Sequence, residues 1–588
     1  MAPSWWQAWP IRPGPPSRAV ADSLQPVPEA IPSYSSVIAP AQRVSVPTAR
    51  SDVASVQIGE PTPSAGVSVR RRFDLALLLV VLGAAVRIWQ WALGHSFWLD
   101  EQLIALNLRK YSLAQLAGEQ DNGTGAPLGW AWLERLILQT LGEGERALRL
   151  PSLVFGVAIL VVAWWIGRRW LGQLGGAALV TMFAVNPSMV IYSEQLKHYS
   201  ADVLWVLLLL ALAGLVVEEP RSKRRILGFW AVAAIGLWFS MGALLIVPGL
   251  ALVLGFQAVI RHGWRATLPH LPAGLGYVAS FLLHYQLSLR HTVGNSYLTS
   301  VWSSVGYPPD SAGLRLTFTW FWGQLRALGE NPLGLAGPGM SKLFWLLALG
   351  GLLMALWHRL EFGLLLALPL VSAVLLSLLH LVPLAVRLAL WVVPVLFIAV
   401  ASCIAAGAAL IGRAWRERHR EQRWQSSAKL GLGTLAIAGL LVTIPMAGQT
   451  SAIVRGEQDM DDRGAIHWMI EQRRPGDLVL LVSAAGRAAA WFDPEGRLNP
   501  ARGVVSVPAG PECDPQGLAK ATAGYRRVLA YAGVRYMPYN ETYQVLRDRL
   551  AELGEIKQTQ RFGKLGLVYV VELTGQPSTR VASDCIIV

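Results

Sequence analysis

The chain has 588 residues, of which 53% are hydrophobic and only 15% are charged, and its formal net charge is +14. A soluble protein of this size would carry roughly 25% charged residues, so this composition excludes an ordinary soluble enzyme. The excess of Arg and Lys does not indicate nucleic-acid binding, because cytoplasmic loops of membrane proteins are enriched in the same residues. We therefore expect a multi-pass membrane protein with no nucleic-acid partner.

Residues 1–72 have the composition of a tail. They contain twelve prolines and no sustained apolar period, which predicts disorder. The tail ends in Arg70, Arg71 and Arg72, directly before the first long apolar run, and this cluster predicts a cytoplasmic N-terminus. A cleaved signal peptide is not expected, since the first apolar run begins too late in the chain.

Residues 73–448 form the predicted transmembrane domain. Apolar runs of near twenty residues match the thickness of a bilayer, so we expect an all-α bundle of about eleven transmembrane helices. The predicted spans are residues 73–93, 149–168, 174–192, 200–217, 225–239, 241–259, 268–287, 342–357, 361–381, 385–412 and 429–447.

The basic clusters test this count. Eleven spans that start in the cytoplasm place every cluster in a cytoplasmic loop, as the positive-inside rule requires. We therefore expect an inner (cell) membrane protein with a cytoplasmic N-terminus and an extracytoplasmic C-terminal domain. The clusters are Arg168 with Arg169, Arg221 to Arg225, Arg261 with Arg265, Arg359, and Arg413 to Arg423.

Two long loops lie on the predicted outer face. The first, residues 94–148, contains apolar residues at helical spacing, which is typical of a helix on the membrane surface. The second, residues 288–341, is rich in Trp, Tyr, Gly and Pro, which suits the membrane interface or a cover over a lipid or sugar. The helical residues of the first loop are Leu133, Leu136, Ile137, Thr140 and Leu141.

Residues 449–588 have the composition of a soluble domain. Their patterns predict helices over 461–474 and 541–553 and buried strands over 477–482 and 565–573, hence a small extracytoplasmic α/β domain. Cys403 lies in an apolar run. Cys513 and Cys585 lie in this C-terminal region, where an oxidising compartment would allow a disulfide, although the spacing leaves two free thiols equally open.

Asp100 and Glu101 follow the first predicted span within about two helical turns of the lipid surface. Acidic residues at such a depth are costly and usually serve a site or a structural partner. One interpretation is a general base with a neighbour that orients it or the acceptor. The alternative is that the pair caps the first external helix, because acids favour a helix N-terminus.

A second polar group lies between spans three and four. Glu194, Lys197 and His198 are at positions i, i+3 and i+4, so on a helix they would share one face, with Tyr199 beside them. This spacing predicts a cationic pocket for an anionic headgroup, with Glu194 holding Lys197 in place. The alternative is an ion pair on a wet helix end, worth a few tenths of a kcal/mol.

Arg387 lies at the outer start of predicted span ten, and no other charged residue follows it until Arg413. It is a candidate for bidentate phosphate binding, and the alternative is an Arg that anchors the helix end by snorkelling. Asp121 and Arg149 are minor candidates. Asp121 has the context of a loop turn, and Arg149 would simply fix the start of span two.

The sequence identifies no cofactor. There is no phosphate-binding loop, no dinucleotide fingerprint and no Cys/His metal spacing, and a role for a divalent metal ion stays open.

Together these motifs resemble the glycosyltransferase-C superfamily, and within it the bacterial branch related to protein O-mannosyltransferases and the lipid A aminoarabinose transferase. The resemblance covers about residues 75–573 and lies in the order and spacing of the motifs. Many relatives carry His-Pro-Pro-Leu in the first loop, where this chain has Gly-Ala-Pro-Leu at 125–128, so any role of that His is absent or moved. The matching motifs are residues 98–101, 122–128, 147–152 and 192–202, Arg387, and the domain after the last span.

The resemblance implies a membrane glycosyltransferase, transferring a hexose or a pentose. The donor would be a polyprenyl-phosphate sugar, and the acceptor a lipid, a glycan or a protein on the extracytoplasmic face, among membrane lipids. It implies that Asp100 is the acceptor's base, with Glu101 beside it. The residues it implies for substrate binding are Glu194, Lys197, His198, Tyr199, Arg387, Asp121 and Arg149, with Lys197, His198 and Arg387 at the donor phosphate.

Two other classes compete. A multi-pass transporter or lipid flippase would show broken helices in two matching halves with sites near the midplane, whereas here the ionisable residues cluster at the outer ends of the spans. An envelope assembly or binding protein would use the C-terminal domain, which shows no concentrated site in the sequence.

Overall fold

The structure is a computed structural model that describes residues 74–121, 125–293, 306–309, 313–335, 337–417, 422–456, 458–482, 485–498, 504–507, 522–532 and 542–574. The predicted tail, Cys513 and Cys585 lie outside the described residues. Disorder of the tail and the disulfide therefore stay predictions.

The first half of the described chain is helical. Besides the α-helices it contains 3-10 turns at Gln115–Ala117 and Trp264–Thr267 and π-helical turns at Gly167–Leu171 and Tyr285–Leu289. The helices are Leu75–Leu93 (α1), Leu99–Lys110 (α2), Leu128–Leu141 (α3), Glu145–Leu148 (α4), Leu150–Ile166 (α5), Gly172–Val185 (α6), Pro187–Ile191 (α7), Tyr199–Glu218 (α8), Lys223–Gly236 (α9), Met241–His262 (α10), His270–His284 (α11) and Arg290–Thr292 (α12).

The second half continues the bundle and then changes to an α/β domain. A 3-10 turn at Val386–Val392 precedes one of its helices. The elements are Leu314–Glu330 (α13), Gly337–His358 (α14), Leu360–Leu378 (α15), Val393–Glu417 (α16), Gln422–Arg455 (α17), Asp462–Gln472 (α18), Leu478–Val482 (β1), Ala485–Phe492 (α19), Val504–Val507 (β2), Arg527–Ala532 (β3), Thr542–Leu553 (α20), Gly554–Phe562 (β4) and Gly566–Leu573 (β5).

Eight stretches of the described residues are helical, long and apolar enough to cross a membrane, so the chain is a multi-pass membrane protein. One of them, Leu150–Val185, is two helices that reverse direction near Gly172, whose φ is +68°. A Cβ on Gly167 would lie 2.5 Å from the Cα of Gly176, although nine residues of straight helix span about 13.5 Å. Helices α9 and α11 also fall in predicted spans but are not among the eight, so the count of eleven stays a prediction.

The C-terminal domain is built on a mixed five-stranded sheet in the order β2-β1-β3-β5-β4. Strands β1, β2 and β3 are parallel, and β5 is antiparallel to both β3 and β4. Because side chains alternate along a strand, Val479 and Leu481 of β1 pack on one face, and Leu478 and Leu480 on the other. The predicted α/β elements of this domain are present, but α17 continues to Arg455, beyond the predicted boundary at 448.

Helix α1 runs from the basic pair Arg168 and Arg169 to the C-terminal domain. Helix α1 starts after Asp74, whose carboxylate accepts a hydrogen bond from Leu77 N, and ends at Gly94 in a left-handed conformation, about 28 Å away. Asp74 pairs with Arg168 at 3.5 Å. At the other end, Arg463 of the C-terminal domain donates to the Gly94 carbonyl at 3.1 Å. The basic residues Arg168 and Arg169 and the C-terminal domain thus lie at opposite ends of α1.

Candidate active site

Three segments that are distant in sequence meet at the end of the bundle that carries the C-terminal domain. Asp100 is the second residue of α2, Lys197 is in the turn before α8, and Arg387 is in the 3-10 turn before α16. The Asp100 Oδ2 lies 2.9 Å from the Arg387 Nη2 and 3.4 Å from the Lys197 Nζ. We call these three residues the open cluster, because their side chains keep exposed fractions of 12–29%. Within the described residues, no ion pair or hydrogen bond is made by the Asp100 Oδ1.

The backbone that presents Arg387 is strained. Val386 has a φ of +43°, a conformation that is rare for a β-branched residue and costs about 1–3 kcal/mol. The hydroxyl of Tyr199 lies within hydrogen-bonding reach of Arg387. Such strain is concentrated at functional sites, and here it occurs directly before a charged residue of the open cluster.

The open cluster carries an excess of positive charge. Burial alone would raise the pKa of Asp100, but the ammonium of Lys197 and the guanidinium of Arg387 outweigh it and hold that pKa below its usual value, with a further contribution from Arg487 of α19. Burial lowers the pKa of Lys197, and Arg387 lowers it further, while Asp100 opposes both. Two cations facing one carboxylate form a site that suits an additional anion.

Glu101 has very different surroundings. Arg149 donates to both of its carboxylate oxygens, at 2.9 Å and 2.7 Å, and these side chains are 1% and 5% exposed. The backbone N–H groups of Leu196 and Trp98 donate to the same carboxylate at 2.6 Å and 2.8 Å. We call Glu101 and Arg149 the closed cluster, because both oxygens of the acid are occupied. The capping interpretation therefore applies to Glu101, which binds the N–H at the start of α2, and not to Asp100.

The turn between α7 and α8 corrects the predicted helical face. Residues 192–198 are not helical, so Glu194 and Lys197 do not share a face. Glu194 lies 3.8 Å from the Nδ1 of His95, and Lys197 pairs with Asp100 instead. Burial raises the pKa of Glu194 to about 8, and burial with the nearby Arg149 lowers the pKa of His95. These shifts favour the neutral forms of both side chains and so weaken any ion pair between them.

The surroundings of His198 disfavour its charged form. Its Nε2 lies 3.6 Å from the Oδ2 of Asp202, and its ring packs edge-on against Trp130 at a centroid distance of 6.0 Å. Burial, followed by the charges of Lys197 and Arg387, lowers the pKa of His198 to about 3. This burial disfavours the positive charge predicted for His198, and of the predicted pocket residues it is Lys197 and Arg387 that contact Asp100.

Asp121 is not brought to either cluster. Its carboxylate binds Lys110 Nζ at 2.6 Å and the Tyr111 hydroxyl at 2.7 Å, at the far end of α2 from Asp100. That end is about three helical turns away. This contact ties the loop to α2, as a turn residue would.

Sequence reasoning missed Arg87, which is fully buried in α1. Its guanidinium donates to the Ser193 hydroxyl at 3.1 Å and to the Phe183 carbonyl at 2.8 Å, and so ties α1 to the turn that carries Lys197. A charge inside an apolar run is a signal that could have found it. Sequence reasoning also missed Gln102, Asp462 and Arg463, whose partners lie more than 300 residues away and leave no local signal.

Part of the candidate active site lies in a segment that matches a known protein family. Residues 125–285 match the family described as dolichyl-phosphate-mannose-protein mannosyltransferase. The match confirms, for that segment, the predicted resemblance to membrane glycosyltransferases of the C superfamily, and the segment contains Arg149, Glu194, Lys197, His198 and Tyr199. No curated protein matches the chain. In the described residues, no group of three His, Cys, Asp or Glu side chains is placed to hold a metal ion.

Several solved structures resemble the chain at low identity. ArnT from Cupriavidus metallidurans in the apo state is 14% identical, with a TM-score of 0.46 over 84% of this chain and 98% of that one. The same protein bound to undecaprenyl phosphate is 13% identical, with a TM-score of 0.48 over 84% and 97%. The oligosaccharyltransferase AglB from Archaeoglobus fulgidus is 11% identical, with a TM-score of 0.44 over 79% and 70%. With TM-scores below 0.5, these likenesses do not add to the functional argument.

Proposed function

We propose that this protein is an integral-membrane glycosyltransferase that moves a sugar from a polyprenyl-phosphate donor to an acceptor hydroxyl. The observation that carries the proposal is the open cluster, in which two cations hold one oxygen of a carboxylate and leave the other without a partner among the described residues. The family matched by residues 125–285 is named for a lipid-phosphate sugar, which is the chemical class of donor proposed here.

The proposed reaction needs positive charge and a base in the same place. The acceptor oxygen forms a bond to the anomeric carbon as the bond from that carbon to the phosphate oxygen breaks. Lys197 and Arg387 stabilise the negative charge that develops on the leaving polyprenyl phosphate. The Asp100 Oδ1 takes the hydroxyl proton, so the products are the glycoside, the polyprenyl phosphate and a protonated Asp100.

Donor binding would also prepare the base. Arg387 and Lys197 both contact Asp100, and these cations hold its pKa low. A donor phosphate shares the same cations and weakens their hold on Asp100, so the pKa of the carboxylate rises toward its ordinary value. A carboxylate with a higher pKa is the stronger base, and it becomes so only when the donor is present.

The remaining predicted residues take supporting roles in this proposal. Glu101 and Arg149 fix the start of α2, because all their strong hydrogen bonds are internal. Tyr199 orients Arg387. Glu194 lies beside Arg149 as a neutral group, and Asp121 has no part in the site.

A transfer assay tests the function. The full-length protein in lipid nanodiscs would be given radiolabelled undecaprenyl-phosphate hexoses and pentoses together with a membrane extract. We expect the label to move to an acceptor and undecaprenyl phosphate to be released. Transport of labelled undecaprenyl phosphate across proteoliposomes with no transfer from any donor would favour a flippase and contradict the proposal.

We also propose that the open cluster and the C-terminal domain face the extracytoplasmic side of the inner membrane, with the N-terminus in the cytoplasm. The basic residues at the opposite end of α1 support this orientation. In a variant without native cysteines, Glu495→Cys should react with an impermeant thiol reagent on intact cells, since its side chain is 72% exposed. The matched control Arg224→Cys, in the basic first turn of α9, should react only after permeabilisation. The reverse pattern would invert the orientation.

A further inference from the structure

The C-terminal domain touches the segment that carries Asp100. This segment, residues 94–102, leads from the end of α1 into the first turn of α2. Ser96 N donates to the Gln458 side chain at 3.0 Å, and the Ser96 hydroxyl accepts from Arg463 N at 3.0 Å. The Arg463 guanidinium also binds the Gly94 carbonyl at 3.1 Å and Glu145 at 2.7 Å. The domain therefore fixes the start of the segment through main-chain and side-chain contacts.

A buried chain of hydrogen bonds fixes the end of the segment. The Gln102 Nε2 donates to the Asp462 Oδ2 at 2.6 Å and to the Phe97 carbonyl at 2.9 Å. The other oxygen of Asp462 accepts a hydrogen bond from the hydroxyl of Tyr531, the fifth residue of β3. Gln102, Asp462 and Tyr531 are at most 2% exposed, so this chain is protected from competing water.

Helix α2 is held at its far end as well. The Arg109 guanidinium donates to the carbonyls of Ala490 and Trp491 at 3.2 Å and 3.1 Å and lies 3.7 Å from the centre of the Trp491 ring. Phe97 contacts the same ring at 5.7 Å. Ala490 and Trp491 belong to α19, so one helix of the C-terminal domain contacts α2 near its end and Phe97, two residues before its start.

The position of Gln102 links these hydrogen bonds to Asp100. The two residues are in the same first turn of α2, so a shift of Gln102 moves the Asp100 carboxylate relative to Lys197 and Arg387. From the bundle side, Arg149 holds Glu101 in the same turn. The first turn of α2 is thus fixed from the bundle by Arg149 and from the C-terminal domain by Asp462.

We propose that Asp462 is a positioning residue of the active site, and that the C-terminal domain completes this site by holding Asp100 in place through the contact between Asp462 and Gln102. The proposal rests on the transferase function proposed above. In the proposed reaction, Asp462 touches no reacting atom. Its effect on the reaction passes through Gln102 and the first turn of α2.

The proposal predicts a loss of turnover without a loss of donor binding. Asp462→Ala and Gln102→Met each remove the hydrogen bond between the two elements and should lower kcat by about 10- to 100-fold, since a misplacement of about 1 Å can cost about 10²-fold. The affinity for undecaprenyl phosphate should change less than about 3-fold, because Lys197 and Arg387 are untouched. The double variant should be no worse than the poorer single variant, because both remove the same contact.

A conservative variant separates geometry from charge. In Asp462→Asn, the amide oxygen can accept from Gln102 and the amide nitrogen can donate to the Tyr531 hydroxyl, so the chain of hydrogen bonds survives without the charge. We expect kcat within about 3-fold of wild type for this variant. A loss equal to that of Asp462→Ala would overturn positioning through this hydrogen bond.

A matched control separates a loss of positioning from a loss of stability in the C-terminal domain. Asp477 is another buried acid of the same domain, and it pairs with Arg527 at 2.6 Å. Among the described residues, the Asp477 side chain makes no contact to α2. Asp477→Ala should lower the melting temperature as Asp462→Ala does, yet leave kcat within about 2-fold. An equal loss of kcat in both variants would show that Asp462 acts only through stability.

Hydrogen exchange tests the same contact without any activity assay. Amides of residues 96–104 should exchange at least about 10-fold faster in Gln102→Met than in wild type, and at the wild-type rate in Asp477→Ala. Unchanged exchange in Gln102→Met would overturn the positioning role. If wild-type protein transfers no sugar from any donor, the proposed function fails, while this exchange measurement still decides whether the C-terminal domain holds the segment.

Discussion

The open cluster and the closed cluster begin at adjacent residues and differ in almost every physical respect. Glu101 is 1% exposed and accepts four hydrogen bonds, two of them from Arg149. Asp100 is 17% exposed, and both of its ion pairs go to one oxygen. Both oxygens of Glu101 are therefore occupied, whereas the Asp100 Oδ1 makes no ion pair or hydrogen bond among the described residues.

The difference shows how two adjacent acids acquire separate roles. A buried and fully paired acid is expensive to disturb, because removing its partner leaves an uncompensated charge and costs about 3–5 kcal/mol. The open cluster instead joins two cations to one oxygen of a carboxylate, an arrangement that suits an additional anion.

The largest expected effect is on turnover in Asp100→Asn. The substitution keeps the shape and removes the base, so kcat in the labelled-sugar assay should fall by about 10²- to 10⁴-fold, with donor binding largely intact. The melting temperature should change little. Glu101→Gln, the matched change in the closed cluster, should instead act mainly on stability. A well-folded Asp100→Asn protein that keeps more than about a tenth of wild-type transfer would move the base elsewhere, and Glu194 is the next carboxylate to test.

The next largest effect is on stability in Arg149→Met. This change leaves the buried Glu101 carboxylate without its guanidinium, so the free energy of unfolding should fall by about 3–5 kcal/mol, measured by thermal unfolding in detergent. Arg168→Ala is the matched control, because it breaks a 3.5 Å pair with Asp74 in which Arg168 is 69% exposed, and it should change stability by about 0–1 kcal/mol. Equal effects of the two changes would remove the distinction between buried and exposed pairs.

A smaller effect is expected on donor affinity in Arg387→Ala. Loss of one charged hydrogen bond to a phosphate should weaken binding of undecaprenyl phosphate by about 1.5–3 kcal/mol. Arg387→Lys should restore part of this loss, since an ammonium cannot donate two parallel hydrogen bonds to a phosphate. Normal donor affinity and turnover in both Arg387→Ala and Lys197→Ala would exclude the open cluster as the phosphate site.

The bundle and the elements of the C-terminal domain could be predicted from the sequence, because both depend on local patterns. Long apolar runs predict spanning helices, and a short run such as residues 477–482 predicts a buried strand, observed at Leu478–Val482. Asp100, Lys197 and Arg387 could be chosen in the same way, since each charge interrupts or borders an apolar run. That all three meet was not visible, because the contact depends on how three separate helices pack.

The roles of the other polar residues depended on conformation that spacing does not determine. Glu194, Lys197 and His198 are at helical spacing, but residues 192–198 form a turn that aims Lys197 at Asp100 and Glu194 at His95. The protonation of His198 depends on burial against Trp130, which lies on another helix. The distinction between Asp100 and Glu101 depends on Arg149, 48 residues from Glu101 along the chain.

The last prediction concerns Glu194, which borders the closed cluster and lacks a hydrogen bond at its buried Oε2. Burial raises the pKa of its carboxyl from 4.5 to about 8. Between these values the folded protein keeps the proton and the unfolded chain releases it, so stability should fall as pH rises from about 4.5 to 8, by at most about 1.4 kcal/mol per pH unit. Glu194→Gln keeps a neutral side chain and should remove this dependence.

The test compares the two proteins across pH, because titrating groups that do not contact Glu194, such as His198, act in both and cancel in the difference. Below about pH 4.5 the melting temperatures of wild type and Glu194→Gln should agree, and near pH 8 the variant should be the more stable. Parallel profiles would mean that Glu194 is ionised in the folded protein. Arg149 would then pair with two carboxylates, those of Glu101 and Glu194. Glu194 would then be a second charged carboxylate near Asp100, and the division between an open cluster that reacts and a closed cluster that only holds the fold would have to be redrawn.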